Sequence, residues 1–155
     1  MSEAKFDFGL IGLGVMGKNF ILNVADNGFS AIGYDLDQEK VDALKRESQN
    51  GMASATTDKL QFIRSLKTPR KVMFLVPSGA PVDSVIDDLM PFLDKGDLLI
   101  DGGNSYFLDT ERRVTKLKNS EINFLGLGIS GGAKGARKGP SMMAGGDNDV
   151  YELIS

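Results

Sequence analysis

Gly12-Leu13-Gly14-Val15-Met16-Gly17 reads G-x-G-x-x-G, and its flanks decide how it folds. Before it, Phe6-Asp7-Phe8-Gly9-Leu10-Ile11 is a short apolar run of strand character. After it, Met16, Phe20, Ile21, Val24 and Ala25 recur at helical spacing. A strand, a Gly-rich turn and a helix, in that order, form the context in which this motif reads as a dinucleotide fingerprint. Gly12 permits the tight turn, Gly14 lets a pyrophosphate approach with no Cβ in its way, and Gly17 lets the helix lie close to the strand. The helix N-terminus then offers N–H groups and a partial positive charge to phosphates. Taken alone, the motif fits a ligand-free βα turn equally well. Its place in an early βαβ unit favours binding.

The rest of the chain narrows the class. Its 155 residues suit one domain with a sizeable core. Hydrophobic residues make up 41% and charged residues 25%, the balance of a globular protein rather than a disordered one. The net charge of −3 gives no basic field to attract nucleic acid, so that class is set aside. The chain has no Cys, hence no disulfide or thiolate chemistry, and no His, which removes the commonest general base and metal ligand. No metal site is expected. Met1-Ser2-Glu3-Ala4-Lys5 leads straight into the first strand without a signal-peptide core, and no apolar run reaches membrane-spanning length. A cytoplasmic location is the expectation.

Outward from the fingerprint, strand and helix alternate. Ser30–Tyr34 is the predicted second strand, Gln38–Glu47 a helix buried along Val41 and Leu44, and Met52-Ala53-Ser54 a short third strand. Thr57-Asp58 caps a helix through Leu60, Ile63 and Leu66. Lys71–Val76 is a continuous apolar run, the pattern of a strand buried on both faces, and it stops at Pro77. A helix over Pro81–Leu93 is expected to turn Val82, Val85, Ile86, Leu89 and Phe92 inward. Asp97–Asp101 is another buried strand, Asp109–Leu117 a charged outer helix, and Ile122–Leu127 a sixth strand. The alternation predicts a Rossmann-type α/β fold, a doubly wound and mostly parallel sheet with helices on both faces and right-handed crossovers. A last helix opens near Asp147 and would run about two turns to Ser155. Residues 1–155 are therefore expected to be a dinucleotide-binding domain cut from a longer protein.

Three more stretches carry chemistry. Asp35 lies 18 residues after Gly17 at the end of the second strand, where an acid accepts hydrogen bonds from adenosine ribose hydroxyls. The competing role is a helix cap, which Asp37 fills better. Asp101-Gly102-Gly103-Asn104-Ser105 follows a buried strand. On spacing alone it fits equally a ligand-facing polar group and a turn in which Asn104 caps the next helix. Ser130-Gly131-Gly132, followed by Gly135-Ala136-Arg137-Lys138-Gly139-Pro140-Ser141, is a third Gly-rich segment at the sheet edge. Ser130 and the amides after it can hold a carboxylate, whereas Arg137 and Lys138 read as solvated charges.

Together these blocks resemble the decarboxylating 6-phosphogluconate dehydrogenases over Phe6 to Gly146. The Gly-Gly-Asn-Ser and Gly-Ala-Arg…Gly-Pro-Ser blocks are specific to that family, whereas the wider β-hydroxyacid dehydrogenases share only the fingerprint and a Ser-Gly-Gly. The resemblance implies a Rossmann fold and a set of site residues. Gly12, Leu13, Gly14, Val15, Met16 and Gly17 hold the dinucleotide, with Met16 near the nicotinamide. Asp35, Leu36 and Asp37 stand at the adenosine ribose, and Val76, Pro77 and Ser78 line the cofactor. Asn104 touches cofactor and substrate, and Ser130, Gly131 and Gly132 hold the substrate. It implies oxidation of 6-phosphogluconate at C3, loss of CO2 and protonation of the enediol to ribulose 5-phosphate. No catalytic residue falls within this chain, since the family's Lys base, Glu acid and helical dimerisation domain lie beyond residue 155. A homodimer is the implied assembly.

Three positions depart from the family pattern. Asp35-Leu36-Asp37 stands where Asn-Arg-Thr is usual, Pro77 where Lys is frequent, and Ala133-Lys134 where an acidic pair often follows. The first predicts NAD as the preferred cofactor, with NADP possible. Two other readings remain: another β-hydroxyacid dehydrogenase of the 3-hydroxyisobutyrate type, which the Gly-Gly-Asn-Ser block disfavours, and a non-catalytic nucleotide-sensing module.

Overall fold

Short strands of Leu, Ile, Val and Phe, each buried on both faces, form the centre of the molecule. In a computed structural model, which describes residues 6–48, 52–76, 79–102, 107–130 and 141–145, seven strands form one sheet in the order β3-β2-β1-β4-β5-β6-β7. The parallel strands are β1 (Phe8–Ile11), β2 (Ala31–Tyr34), β3 (Ala53–Thr56), β4 (Lys71–Phe74), β5 (Leu98–Asp101) and β6 (Asn123–Ser130). β7 (Ser141–Gly145) pairs antiparallel with β6. The predicted sixth strand thus runs on to Ser130, and the stretch from Ser141, expected as an edge loop, is a strand. The order reverses between β1 and β4, and outside the C-terminal ends of those strands lies the crevice where open α/β sheets bind ligands.

The helices are α1 (Val15–Asp26), α2 (Gln38–Glu47), α3 (Lys59–Arg64), α4 (Ala80–Leu89) and α5 (Phe107–Lys118). They cover both faces of the sheet, and strand side chains alternate between two separate cores. Leu10, Ala31, Met73, Ile100 and Leu125 pack with Phe20, Ile21, Ala25, Val41 and Leu44 of α1 and α2. Ile11, Ile32, Phe74, Leu99 and Phe124 pack with Phe62, Ile63, Val82, Ile86, Leu89 and Leu117 of α3, α4 and α5. Each fully buried large aliphatic or aromatic side chain contributes about 1.5–3 kcal/mol.

Several boundaries differ from expectation for local reasons. α2 runs over its predicted span because Asp37 caps it, accepting from Glu39 N–H at 3.0 Å. Asp58 does the same for α3, accepting from the N–H groups of Leu60 and Gln61. The third strand is Ala53–Thr56, shifted towards the C-terminus, and the fourth ends at Phe74 rather than Val76. α4 ends at Leu89 and tightens into a 3-10 turn over Met90–Phe92. Pro91 has no N–H to continue the helical ladder there, and Phe92, expected inside, is 39% exposed. The fifth helix starts at Phe107 and is not wholly an outer helix, because Arg113 on it is fully buried.

Candidate functional site

The C-terminal edge of the sheet is built first by the fingerprint turn. Gly12 has φ +98, a left-handed conformation that suits glycine, and a Cβ on it would lie 2.6 Å from the Leu75 carbonyl oxygen. A Cβ on Gly17 would collide with the Gly12 carbonyl oxygen. These two glycines are therefore required by the protein's own backbone. Gly14 differs: a Cβ there would meet nothing within 4 Å. It is the N-cap of α1 and gives no side-chain cap bond, and no acidic residue stands in the helix's first turn. The positive end of α1 therefore faces open space with no negative side chain of its own to offset it. Val15, 67% exposed, stands beside it, while Leu13 is buried and Met16 is half-buried against the α1-side core.

Asp35 closes this turn from the next strand. The pairing of Ile11 with Tyr34 brings the ends of β1 and β2 level. One carboxylate oxygen of Asp35 accepts from Leu13 N–H at 2.9 Å, and the other accepts from Asp37 N–H at 2.9 Å. Asp35 is half-buried, and beyond it Leu36 is 82% exposed and Asp37 is exposed. The Tyr34 hydroxyl titrates above its ordinary value, first because of burial and then because the carboxylates of Asp88, Asp35 and Asp58 oppose a phenolate. Burial is the main cause of that rise, and the three carboxylates add to it. Lys18, the nearest cation in sequence to the turn, is engaged by Glu47 at 2.8 Å.

On the other side of β1, Leu75 N–H donates to the Ile11 carbonyl at 2.9 Å and carries the chain past the crevice to Val76, which is half-buried. Pro77 and Ser78 lie outside the described residues. β5 ends at Asp101, and Gly102 N–H donates to the Phe74 carbonyl at 2.9 Å, which keeps the two strand ends side by side. Asn104, Gly131 and Gly132 also lie outside the described residues. Ser130 ends β6 opposite Ser141 of β7.

Behind these ends is a charge cluster that the sequence reading did not single out. The Arg113 guanidinium donates to Asp83 at 3.0 and 3.3 Å, to the Gly79 carbonyl at 3.2 Å and to Asp101 at 3.5 Å. Arg112 reaches the same Asp83 carboxylate at 3.1 Å. The Arg113 bond, more than any other effect, brings the Asp83 carboxyl down to about 2. A signal for it was present. Val114 and Leu117 mark the apolar stripe of α5, and Arg113 stands four residues before Leu117 on the same face. Among the described residues, no group of three or more His, Cys, Asp or Glu side chains could hold a metal ion, and no helix is long and apolar enough to cross a membrane.

Comparison with known proteins agrees with this architecture. The sequence model of the NAD binding domain of 6-phosphogluconate dehydrogenase matches residues 7–155. The chain is 50% identical over 153 residues to the decarboxylating 6-phosphogluconate dehydrogenase of Chlamydia muridarum, a match covering 98% of this chain and 32% of that one. It is 52% identical over 149 residues to decarboxylating 6-phosphogluconate dehydrogenase 1 of Saccharomyces cerevisiae, covering 96% and 30%. The 6-phosphogluconate dehydrogenase of Plasmodium falciparum, solved in its apo form, with its cofactor NADP+ and with its substrate 6-phosphogluconate, superimposes with a TM-score of 0.89 at 37% identity, covering 96% of this chain and 32% of that one. The chain thus spans about a third of the length of the curated relatives it matches. A matching family model over nearly all of its length, together with a Rossmann-like sheet of the same form, means that the chain belongs to the 6-phosphogluconate dehydrogenase family as an NAD(P)-binding domain.

Proposed function

We infer that the chain is the dinucleotide-binding part of a homodimeric, cytoplasmic enzyme that oxidatively decarboxylates 6-phosphogluconate to ribulose 5-phosphate and prefers NAD to NADP. The dinucleotide site comprises Gly12, Leu13, Gly14, Val15, Met16, Gly17, Asp35, Leu36, Asp37, Val76, Pro77, Ser78 and Asn104. Asn104, Ser130, Gly131 and Gly132 contribute to the sugar-acid site. When bound, the nicotinamide accepts the hydride that leaves C3. This chain's part is to bind and orient. The α1 N-terminus meets the pyrophosphate over Gly14, and the Asp35 carboxylate meets the ribose hydroxyls. The chain carries no His or Cys, and the base that takes the C3 hydroxyl proton is supplied from outside it. The chain alone is accordingly expected to give no reduced cofactor from 6-phosphogluconate, and a measurable rate would overturn that assignment.

The observation that carries the cofactor preference is the Asp35 carboxylate. Two backbone N–H groups hold it at the end of β2, beside an exposed Leu36. NADP brings a 2′-phosphate towards this carboxylate, whereas NAD brings hydroxyls that donate to it. Two unit charges about 4 Å apart near a surface interact by roughly 4 kcal/mol at an effective dielectric of 20. Solvent and salt reduce this to roughly 1–3 kcal/mol, or about ten- to a hundredfold in affinity. Lys18 is engaged with Glu47, which removes one cation that would otherwise soften the repulsion. Calorimetric titration of the chain with each dinucleotide at equal ionic strength tests the reading. Tighter NAD is expected, and tighter NADP would overturn the preference. The paired change Asp35→Asn with Leu36→Arg should shift affinity towards NADP.

A further inference from the structure

We propose that Arg113 is a positioning residue: its buried guanidinium holds the segment after β4 and the end of β5 in one fixed relation, and thereby sets the geometry in which the dinucleotide is bound. The proposal rests on the functional reading above. It starts from a residue that stability alone does not explain. Arg113 is fully buried and is the largest such side chain among the described residues. Taking a guanidinium out of water is expensive, and a well-packed apolar side chain of similar volume serves stability as well or better. What an apolar side chain cannot do is join three directed partners at once, the use to which Arg's planar fork is suited.

Those partners sit on two neighbouring segments on the β4–β5 side of the crevice. Nη2 donates to the carbonyl of Gly79, which follows Val76-Pro77-Ser78 directly in sequence. Nε and Nη2 reach Asp83 in the first turn of α4, the helix that Gly79 opens. Nη1 reaches Asp101, directly before Gly102-Gly103-Asn104. Gly79 has φ +94 and gives α4 no side-chain cap, and its carbonyl, which accepts from Val82 N–H at 3.1 Å, accepts from the Arg113 guanidinium as well. α5 therefore fastens the start of α4 to the end of β5, from behind the C-terminal edge of the sheet. The Asp83 carboxylate, shared by two guanidiniums, is strongly biased towards its charged form, so the fastening persists across the neutral range.

The test compares Arg113→Lys with Arg70→Lys, which lies at the opposite end of β5 and also weakens a buried Arg–Asp contact. Lysine keeps the charge and loses the fork. Two quantities are read on the chain: dinucleotide affinity by calorimetry, and amide hydrogen exchange over residues 79–83 and 101–102. Arg113→Lys should weaken dinucleotide binding by about tenfold or more, the equivalent of one charge-assisted hydrogen bond. It should also speed exchange in both segments together. Arg70→Lys should lower the melting temperature and leave both readouts within about twofold of the unaltered chain, below the size of one such bond. If Arg113→Lys does not fold, Asp83→Asn, at a half-buried position, poses the same comparison. Unchanged exchange in the two segments, or an affinity loss matched by Arg70→Lys, would overturn the proposal. If the unaltered chain binds neither NAD nor NADP, the functional reading fails, and the exchange comparison alone decides whether Arg113 fastens the two segments.

Discussion

The two ends of β5 carry the same chemical pair in different settings. At its N-terminal end, Asp97 is 1% exposed and accepts from Arg70 N–H at 2.7 Å, from Asp94 N–H at 2.8 Å and from the Arg70 guanidinium at 3.0 Å. Arg70 also donates to the Ile63 carbonyl of α3 and pairs with Asp94. At the C-terminal end, Asp101 meets Arg113 at a longer 3.5 Å, and Arg113 turns most of its donors towards Asp83 and the Gly79 carbonyl. The first arrangement joins the residues just before β4 and β5 and takes two backbone amides onto one carboxylate. The second reaches across to a neighbouring loop. A parallel sheet has distinct ends, since every βα turn faces one edge. The buried pair at the far edge ties two strand starts through a carboxylate that backbone amides also hold, whereas the one at the opposite edge ties a strand end to a helix start through the guanidinium.

The strongest way to break this contrast is Asp97→Ala. It leaves two backbone donors without their acceptor and takes from the Arg70 guanidinium its buried carboxylate partner, and removing one member of a buried pair costs about 3–5 kcal/mol. Urea unfolding should show a loss of that size, with dinucleotide affinity of the folded fraction unchanged. A loss below about 1 kcal/mol would mean that Asp97 behaves as a surface acid.

Next in size are the fingerprint glycines, which sharpen the picture within the ligand edge itself. Gly17→Ala drives a methyl group into the Gly12 carbonyl and should destabilise by about 1–3 kcal/mol. Gly14→Ala meets open space and should change stability by less than about 1 kcal/mol at its cap position. Equal melting temperatures for the two variants would contradict the geometry.

Acid titration probes the Arg113 cluster directly. The Asp83 carboxyl is lowered from 3.8 to about 2 by Arg113 above all. A depressed folded value means stability that is fully present above the unfolded value and is lost as pH falls through the folded one. The advantage of the unaltered chain over Asp83→Asn should therefore be largest above about pH 4 and should shrink towards pH 2. An advantage that grows on acidification would reverse the assigned sign.

The smallest effect is expected at Glu47→Gln. It releases Lys18 from a partly exposed pair and should shift stability by no more than about 1 kcal/mol. Calorimetry with NADP should show a slight gain in affinity, and a drop would mean that Lys18 is not free to turn towards the turn's mouth.

Much of the fold was legible in the sequence because its signals are local. Gly12 to Gly17 fixed the first turn, and Asp37 with Val41 and Leu44 fixed α2 at both ends. The continuous apolar runs of β4 and β5 marked strands buried on both faces. Ala53-Ser54-Ala55-Thr56 has small side chains and little periodicity, so its register slipped. β7 depends on antiparallel pairing with β6, which local sequence does not encode. At the candidate site, spacing brought out Asp35, but not that it accepts from Leu13 N–H, because that bond depends on the register of β1 against β2. Arg113 was hidden for the opposite reason. Charged residues surround it on α5, and only its position on the Val114–Leu117 stripe set it apart.

The two backbone hydrogen bonds that Asp35 accepts bear on how its position can change. Both its oxygens are engaged by N–H groups, one of them inside the fingerprint turn. On the proposed reading the same carboxylate selects the coenzyme. A lineage that replaced it with an amide to admit a 2′-phosphate would keep one acceptor and set an NH2 against a backbone N–H in the same step. The intermediate is then weakened in its architecture before it gains anything in its chemistry. On that reading, a change of coenzyme at position 35 is coupled to the backbone, and a compensating substitution near Leu13 or Asp37 would ease it.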